Sequence, residues 1–185
     1  PKLHELRDKT AGIIGLGSIG KKTARLAAAF GMHVTYYDIE RLSEAEEDAL
    51  GVRFRLFSEI IQESDLISLH VPLNDSTRHM IGKPEFAAMQ SDAILVNTSR
   101  GPVVDETALI DALSTGEIAA AGLDVFDEEP TSPDNPLQSM WEDPNDGNNP
   151  HNPDHLTAAY KNEANPGMLS APAVANGAAE VIQGT

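Results

Sequence analysis

A glycine-rich segment near the start of the sequence constrains the fold more than any other feature. The apolar run from Ala11 to Ile14 suits a buried strand, and Gly15, Gly17 and Gly20 follow it in the pattern G-x-G-x-x-G. After the last glycine, apolar residues recur at helical spacing as far as Phe30. A strand, a glycine turn and a helix in this order predict a dinucleotide site, with the phosphates at the helix N-terminus.

Each glycine of this motif has a physical task in such a site. Gly15 allows the tight turn, Gly17 lets the backbone approach a pyrophosphate, and Gly20 lets the helix pack close to the strand. Ser18 and Ile19 lie in the same turn. We therefore predict that these five residues bind the cofactor.

An acidic residue follows the second predicted strand. The strand covers His33 to Tyr37, and Asp38 comes 18 residues after Gly20, near the position of the acid that binds the adenosine ribose. A carboxylate there accepts hydrogen bonds from the ribose hydroxyls and repels a 2′-phosphate, which favours NAD over NADP. Arg41 could attract that phosphate, so the preference stays open. The alternative is a glycine turn beside a solvated aspartate.

Strand and helix patterns go on alternating as far as Val125. Buried strands are predicted within Asp65 to Val71, Ala93 to Asn97 and Ile118 to Val125, with helical patterns between them. This alternation predicts an α/β fold, a Rossmann-type doubly wound parallel sheet in a single domain. The dinucleotide-binding core is predicted to cover residues 1–126.

The composition changes at Asp127. Residues 127–155 are rich in Pro, Asn and Asp and are predicted to form a loop-rich segment, while the Ala-rich residues 156–185 are predicted to form a helical tail. Pro166 and Pro172 should break or kink that tail. Met140 and Trp141 either attach the loop to the domain or form a subunit contact.

Composition also limits the classes of partner. The formal net charge is −16, which opposes binding to nucleic acid or anionic lipid. Apolar runs are too short to span a membrane. The sequence has no cysteine, which rules out disulfides and thiol catalysis and fits a reducing compartment. We expect a cytoplasmic protein, a homodimer, with no nucleic-acid or membrane partner and no metal site.

Four motifs in order carry a resemblance to a known family. They are Gly15–Gly20, His70-Val71-Pro72-Leu73, Asn97-Thr98-Ser99-Arg100-Gly101, and Gly122–Phe126 with Glu129-Pro130. The region from Leu6 to Pro130 resembles the NAD-binding domain of the D-isomer-specific 2-hydroxyacid dehydrogenases, which include D-lactate dehydrogenase and glyoxylate/hydroxypyruvate reductase. The resemblance implies an oxidoreductase that uses NAD to interconvert a D-2-hydroxy acid and its 2-keto acid by hydride transfer.

The resemblance also implies roles for the matched residues. Arg100 resembles the catalytic arginine that holds the carbonyl and carboxylate of the substrate, and Glu129 resembles the acidic partner of the catalytic histidine. Asp124 resembles the residue that binds the nicotinamide amide. The remaining matched positions resemble the wall around nicotinamide and ribose, to which Arg100 also contributes: Val71, Pro72, Thr77, Thr98 and Ser99.

The catalytic histidine has two candidates. His155 precedes Leu-Thr-Ala-Ala-Tyr and Glu163, much like the family segment that follows its histidine. His151 keeps the preceding proline, Pro150. We favour His155 and retain His151 as the alternative.

The family's substrate domain has no recognisable counterpart in this sequence. We therefore expect that domain to be absent and the isolated chain to be inactive. A competing hypothesis is a non-enzymatic NAD(H)-sensing module of the corepressor type, which keeps similar residues. A third is the cofactor domain of another enzyme such as adenosylhomocysteinase, which the motifs at Arg100 and Glu129 disfavour.

Overall fold

In the part of the chain that the structure describes, seven parallel strands form one sheet. The computed structural model describes residues 5–132 and 134–139 and the backbone of Ala158–Ala159. The strands are β1 Thr10–Ile14, β2 His33–Tyr37, β3 Val52–Phe54, β4 Leu66–Leu69, β5 Ile94–Asn97, β6 Ala120–Leu123 and β7 Ala158–Ala159. Their order is β3-β2-β1-β4-β5-β6-β7, and every neighbouring pair is parallel.

Helices connect the strands. They are α1 Ser18–Ala29, α2 Glu44–Leu50, α3 Phe57–Glu63, α4 Lys83–Ala88, α5 Glu106–Thr115 and α6 Pro136–Ser139, with a 3₁₀ turn at Gly101–Val103. Local sequence explains where several of them begin and end. Ser43 and Glu46 form a capping box at the start of α2, and the Asp105 carboxylate accepts the Ala108 N–H at 3.1 Å. Gly116 ends α5 in the left-handed conformation.

Apolar side chains fill both faces of the sheet. The neighbouring β1 residues Ile13 and Ile14 point to opposite faces and are fully buried in two different clusters. Ile13 lies in the cluster that includes Ala24 and Ala27 of α1, whereas Ile14 lies with residues of α3, α4 and α5. Helices therefore cover both faces, which confirms the predicted doubly wound α/β fold.

The chain reverses its direction of travel across the sheet between β1 and β4. From β1 it moves outward to β2 and β3, and it then returns to pair β4 on the other side of β1. In open α/β sheets a crevice forms at such a reversal, beyond the carboxyl ends of the two central strands. The glycine motif follows β1, so the topology places it in that crevice.

The predicted helical tail is wrong at Ala158–Ala159, which form strand β7. These two residues pair with Gly122 and Leu123 of β6. The outer edge of β6 presents N–H and C=O groups that need partners, and satisfying them overrides the helical preference of alanine. The predicted loop 127–155 also contains a short helix, α6, whose Leu137 is buried in the main core. Other residues of the tail, with Met140 and Trp141, lie outside the described part.

Across the part of the chain that the structure describes, no helix is long and apolar enough to cross a membrane.

Asp65 ties the start of β4 to the start of β1. Its carboxylate accepts the Thr10 N–H at 2.7 Å and forms an ion pair with Lys9. Partial burial works to raise the pKa of Asp65, but the bonds from Lys9 and Thr10 outweigh it and hold the pKa below its usual value. The ionised carboxylate therefore stabilises the folded state.

We expect Asp65→Asn to lower the free energy of unfolding at pH 7 by about 1 kcal/mol, because a charge-assisted hydrogen bond is lost. Since the folded-state pKa is depressed, this contribution is fully present above the unfolded-state pKa and disappears as pH falls through the folded value. Urea denaturation at pH 7 and near pH 3 should show that the difference in free energy of unfolding between wild type and variant becomes smaller in acid. Asp111→Asn, an exposed position, is the control. A difference in free energy of unfolding that becomes larger in acid would contradict the stabilising role of ionised Asp65.

Candidate functional site

The predicted site residues gather at one edge of the sheet. Because the strands are parallel, their carboxyl ends meet there. Gly15 follows β1, Asp38 follows β2, Val71 and Pro72 follow β4 after His70, Thr98 follows β5 and Asp124 follows β6.

The glycine turn is wedged between the ends of β2 and β4. Gly15 has φ +91°, and a Cβ there would lie 2.8 Å from the His70 carbonyl; its N–H donates to the Tyr37 carbonyl at 2.9 Å. A Cβ on Gly20 would lie only 2.1 Å from the Gly15 carbonyl oxygen. Both positions therefore require glycine, Gly15 for its backbone conformation and Gly20 for close approach.

Gly17 differs from its neighbours because the space beside it is open. Among the described residues, a Cβ on Gly17 would meet no atom within 4 Å, and no side-chain hydrogen bond caps the start of α1. Ser18 and Ile19 are also exposed. The first N–H groups of a 12-residue helix are thus available to an anion. That a pyrophosphate binds to this backbone stays a prediction of the motif.

Asp38 is held in place beside the glycine turn. One carboxylate oxygen accepts the Leu16 N–H at 2.6 Å and the other accepts the Glu40 N–H at 3.1 Å. Each oxygen has a further lone pair for a ribose hydroxyl. The carboxylate is therefore fixed by the backbone and not freely solvated, which supports its predicted ribose-binding role.

The side chain of Asn97 shapes the turn after β5. Its carbonyl oxygen accepts the Ser99 N–H at 3.0 Å and hydroxyl at 2.8 Å, and its amide donates to the Arg100 carbonyl at 2.9 Å. Thr98 and Arg100 are exposed while Asn97 and Ser99 are buried. The Arg100 guanidinium donates to the Ser99 carbonyl at 2.6 Å, and it forms no ion pair with any described residue. It is therefore available to a substrate anion.

The turns that follow β5 and β6 pack into one unit. A Cβ on Gly101 would lie 1.9 Å from the Phe126 carbonyl oxygen, so the two backbones are in direct contact. The Asp124 N–H donates to the Asn97 carbonyl at 3.0 Å. Glu129 is exposed, and one of its oxygens accepts the Phe126 N–H at 3.1 Å. These contacts therefore join Arg100, Asp124 and Glu129 in one packed unit at this edge.

Glu106 anchors this unit from α5. Its two carboxylate oxygens accept the Asp127 N–H at 3.0 Å and the Asn135 side-chain amide at 2.6 Å. Burial, reinforced by the Glu106 charge, raises the pKa of Asp127. Sequence reasoning assigned no role to Glu106, Asn97 or Asn135. An asparagine at a strand end is a signal for a side-chain-stabilised turn, but nothing local distinguishes Glu106 from an ordinary helix residue.

The turn after β4 supplies the opposite wall. Val71 is half-buried and Pro72 is exposed; the Thr77 hydroxyl donates to the Pro72 carbonyl at 2.6 Å and accepts the Asn74 N–H at 2.9 Å. Thr77 thus stabilises the turn that forms this wall. His70 lies 2.9 Å from the Ser68 hydroxyl, and burial lowers its pKa, which keeps the imidazole neutral at pH 7.

Both histidine candidates, His151 and His155, lie outside the described residues, so their position relative to Glu129 stays a prediction. Among residues 5–132 and 134–139, no group of three or more His, Cys, Asp or Glu could hold a metal ion.

Comparison with known proteins identifies a family. Residues 1–152 match the model of the D-isomer specific 2-hydroxyacid dehydrogenase, NAD binding domain. The chain is 50% identical over 136 residues to a glyoxylate reductase of Aeropyrum pernix, covering 74% of this chain and 40% of that protein. It is 54% identical over 127 residues to the glyoxylate reductase of Thermococcus litoralis, covering 69% of this chain and 38% of that protein. The chain thus spans about two fifths of the length of these relatives.

Solved structures agree with this match. The holo D-mandelate dehydrogenase of Rhodotorula graminis superimposes with a TM-score of 0.72 at 35% identity, over 84% of this chain and 41% of that one. The NAD complex of a D-isomer specific 2-hydroxyacid dehydrogenase from Lactobacillus delbrueckii gives a TM-score of 0.63 at 41% identity, over 66% of this chain and 37% of that one.

Two glycine variants should separate cofactor contact from folding. Gly17→Ala meets no protein atom, so we expect the melting temperature to stay within about 2 °C while NADH binding weakens roughly tenfold or more, because the methyl group occupies the phosphate approach. Gly20→Ala should lower the melting temperature by several degrees, because its Cβ clashes with Gly15.

Thermal denaturation and NADH fluorescence titration of the 185-residue chain measure both effects. Unchanged NADH affinity in Gly17→Ala would show that the phosphates do not approach the backbone there.

Proposed function

This chain belongs to the D-isomer-specific 2-hydroxyacid dehydrogenase family and contains its NAD-binding domain, and we propose that it is the cofactor-binding part of an enzyme that interconverts a D-2-hydroxy acid and its 2-keto acid. The observation that carries the proposal is the juxtaposition of an open helix N-terminus at Gly17 with an exposed arginine, Arg100, that has no ion pair among the described residues, on one edge of the sheet. The named relatives are glyoxylate reductases, so glyoxylate is our first candidate substrate.

Residues on both sides of the reversal point would hold NAD. The N–H groups from Gly17 to Gly20 would bind the pyrophosphate, and Asp38 would bind the adenosine ribose. Asp124 would bind the nicotinamide amide, and the wall around the ring would consist of Val71, Pro72, Thr77, Thr98 and Ser99. When bound, the nicotinamide supplies or accepts the hydride.

Arg100 would bind the substrate. A guanidinium offers two parallel N–H donors to a carboxylate, and it also stabilises negative charge that develops on a keto oxygen during reduction. Asn97 fixes the backbone on both sides of Arg100. The arginine is therefore presented from a turn that side-chain hydrogen bonds hold in shape.

Glu129 would assist proton transfer to the keto oxygen by acting on a histidine. A carboxylate beside an imidazole raises its pKa and orients the ring, so that the protonated ring can donate to the keto oxygen. The Phe126 N–H holds one oxygen of Glu129, which leaves lone pairs on both oxygens for such a partner. We propose His155 as that partner and His151 as the alternative.

The enzyme hypothesis is favoured over the corepressor-type module. The relatives and solved structures named above are reductases and dehydrogenases, and nothing among them supports a sensing module. The two hypotheses differ in one measurable property, which is substrate-dependent NADH oxidation by the full-length protein. The 185-residue chain covers only about two fifths of the length of those relatives, so we expect it to bind NADH without turnover.

In the full-length protein, Arg100→Ala should reduce kcat/KM for glyoxylate by roughly 10²- to 10³-fold, because the charge on the keto oxygen loses its stabilisation. NADH affinity should change by less than about threefold, since other residues hold most of the cofactor. Stopped-flow NADH oxidation and fluorescence titration measure the two quantities.

Arg53→Ala is the matched control for removing an arginine, because its exposed side chain pairs with Asp48 away from the site. Normal turnover by Arg100→Ala, or turnover equally impaired in both variants, would remove Arg100 from its catalytic role.

We also propose that the protein is a homodimer and that α1 provides the contact. Leu26 and Phe30 are both 63% exposed, and their spacing of four residues places them on one face of the helix. Exposed apolar faces of this kind mark interaction surfaces. A two-fold axis can bury the same face of both copies, and two-fold dimers are the commonest soluble oligomers. Leu26 and Phe30 lie toward the end of α1 remote from Gly17, so a second copy there leaves the phosphate site open.

Leu26→Glu should weaken the dimer at least roughly tenfold, because a charge enters the apolar contact. Sedimentation velocity over a range of concentrations measures the change. Leu56→Glu, at another exposed leucine (58%), should leave the dimer intact. A wild-type chain that stays monomeric at every concentration would refute the proposed dimer.

We further propose a cytoplasmic location, the expectation from a cysteine-free sequence. Cell fractionation of the full-length protein from its source tests this proposal, and recovery in a membrane or secreted fraction would refute it.

A further inference from the structure

A buried carboxylate lies behind the adenosine side of the site. Glu47 of α2 is only 4% exposed, and one of its oxygens lies 3.1 Å from the Tyr36 hydroxyl and 3.2 Å from Nε of Arg41. The Tyr36 oxygen in turn accepts the Leu42 N–H at 2.9 Å. Tyr36 of β2 and Glu47 of α2 thus both hold the turn that carries Arg41.

Glu47 is ionised in this setting. Burial works to raise its pKa, but the bonds from Arg41, from the Tyr36 hydroxyl and from the Phe54 N–H outweigh burial and lower the pKa below its usual value. Arg41 therefore pairs with a charged partner. Because Glu47 is buried, solvent screens the pair less than it screens an exposed ion pair.

Arg41 has a second contact that fixes its orientation. Its guanidinium carbon lies 5.0 Å from the centre of the Phe54 ring, within the range of a cation–π interaction. The Phe54 ring is itself packed edge-to-face against Tyr36, with ring centres 5.6 Å apart. The Arg41 side chain is 57% exposed, yet its charged group is held on two sides.

The position of Arg41 makes this restraint relevant to the cofactor. Arg41 lies three residues after Asp38, the predicted ribose-binding carboxylate, and Asp38 is itself fixed by Leu16 and Glu40. A cation in this turn is the group that would bind a 2′-phosphate and accommodate NADP. Here the cation is engaged by Glu47 and Phe54 instead.

We propose that Glu47 is a specificity-determining positioning residue, which holds the Arg41 guanidinium against Phe54 and so withholds it from the 2′-phosphate of NADP. Preference for NAD then has two sources, repulsion by Asp38 and sequestration of Arg41. This inference rests on the proposed cofactor site at Asp38.

Glu47→Gln tests the inference because it keeps the shape of the side chain and removes its charge. Arg41 should be released, and affinity for NADPH relative to NADH should rise roughly fivefold, which corresponds to about 1 kcal/mol. NADH affinity itself should change by less than about twofold. A purely structural role for Glu47 would weaken binding of both cofactors equally, so the affinity ratio separates the two roles.

Two further variants identify the source of any gain. Asp48 lies on the same helix but pairs with Arg53 and not with Arg41. Asp48→Asn therefore removes one negative charge from that helix and should leave the NADPH-to-NADH affinity ratio unchanged. The double variant Arg41→Ala/Glu47→Gln restores the net charge of wild type and removes the guanidinium. It should lose the gain seen in Glu47→Gln.

Tyr36→Phe provides an independent measurement should Glu47→Gln fail to fold. It removes the hydroxyl from both Glu47 and Leu42 and changes no charge, so a smaller shift toward NADPH, about twofold, is expected. Circular dichroism and thermal denaturation check that each variant is folded.

Fluorescence titration of the 185-residue chain with NADH and NADPH gives every ratio. The role of Glu47 is overturned if the NADPH-to-NADH affinity ratio of Glu47→Gln equals that of Asp48→Asn, or if the gain in NADPH affinity survives in the double variant. In either case, NADH binding by wild type would still support the proposed cofactor site. Failure of folded wild type to bind NADH refutes the proposed cofactor site and the inference with it.

Discussion

The close approach of α1 to the glycine turn is the contact on which the site depends. Only hydrogen fits between Gly20 and the Gly15 carbonyl oxygen, and this lets the helix begin directly beyond the end of β1. The free N–H groups of its first turn then face the crevice at the reversal of strand order. Asp38 is joined to the same turn through the Leu16 N–H, so the positions proposed for phosphate and ribose are fixed relative to each other.

The other half of the site is fixed by polar contacts between loops. Asn97 folds the turn that carries Arg100, Gly101 lies against the Phe126 carbonyl, and Glu106 holds the Asp127 N–H. These contacts hold a cation and a carboxylate, Arg100 and Glu129, in one unit without pairing them to each other. A site that binds an anion and moves a proton needs this separation, because an ion pair between the two would neutralise both.

Agreement between expectation and structure is best where the signal is local. The glycine motif and the strand from His33 to Tyr37 follow from backbone sterics and residue patterns within a few positions. Disagreement begins where long-range pairing decides the outcome. Ala158–Ala159 join the sheet because the edge of β6 needs partners, although an Ala-rich segment favours a helix when considered alone.

The sequence by itself determined the fold class, the cofactor class and the order of the site motifs along the chain, because strand and helix periodicity and glycine spacing are local properties. Only the tertiary structure decided that Arg41 is held by Glu47 and Phe54, and that Glu106 supports the turn before Glu129. Arg41 is close to Asp38 in sequence and was a plausible ligand for a 2′-phosphate on that ground alone. Its partner lies on a helix that follows, and whether an arginine is free or engaged depends on which side chains packing brings within hydrogen-bonding distance.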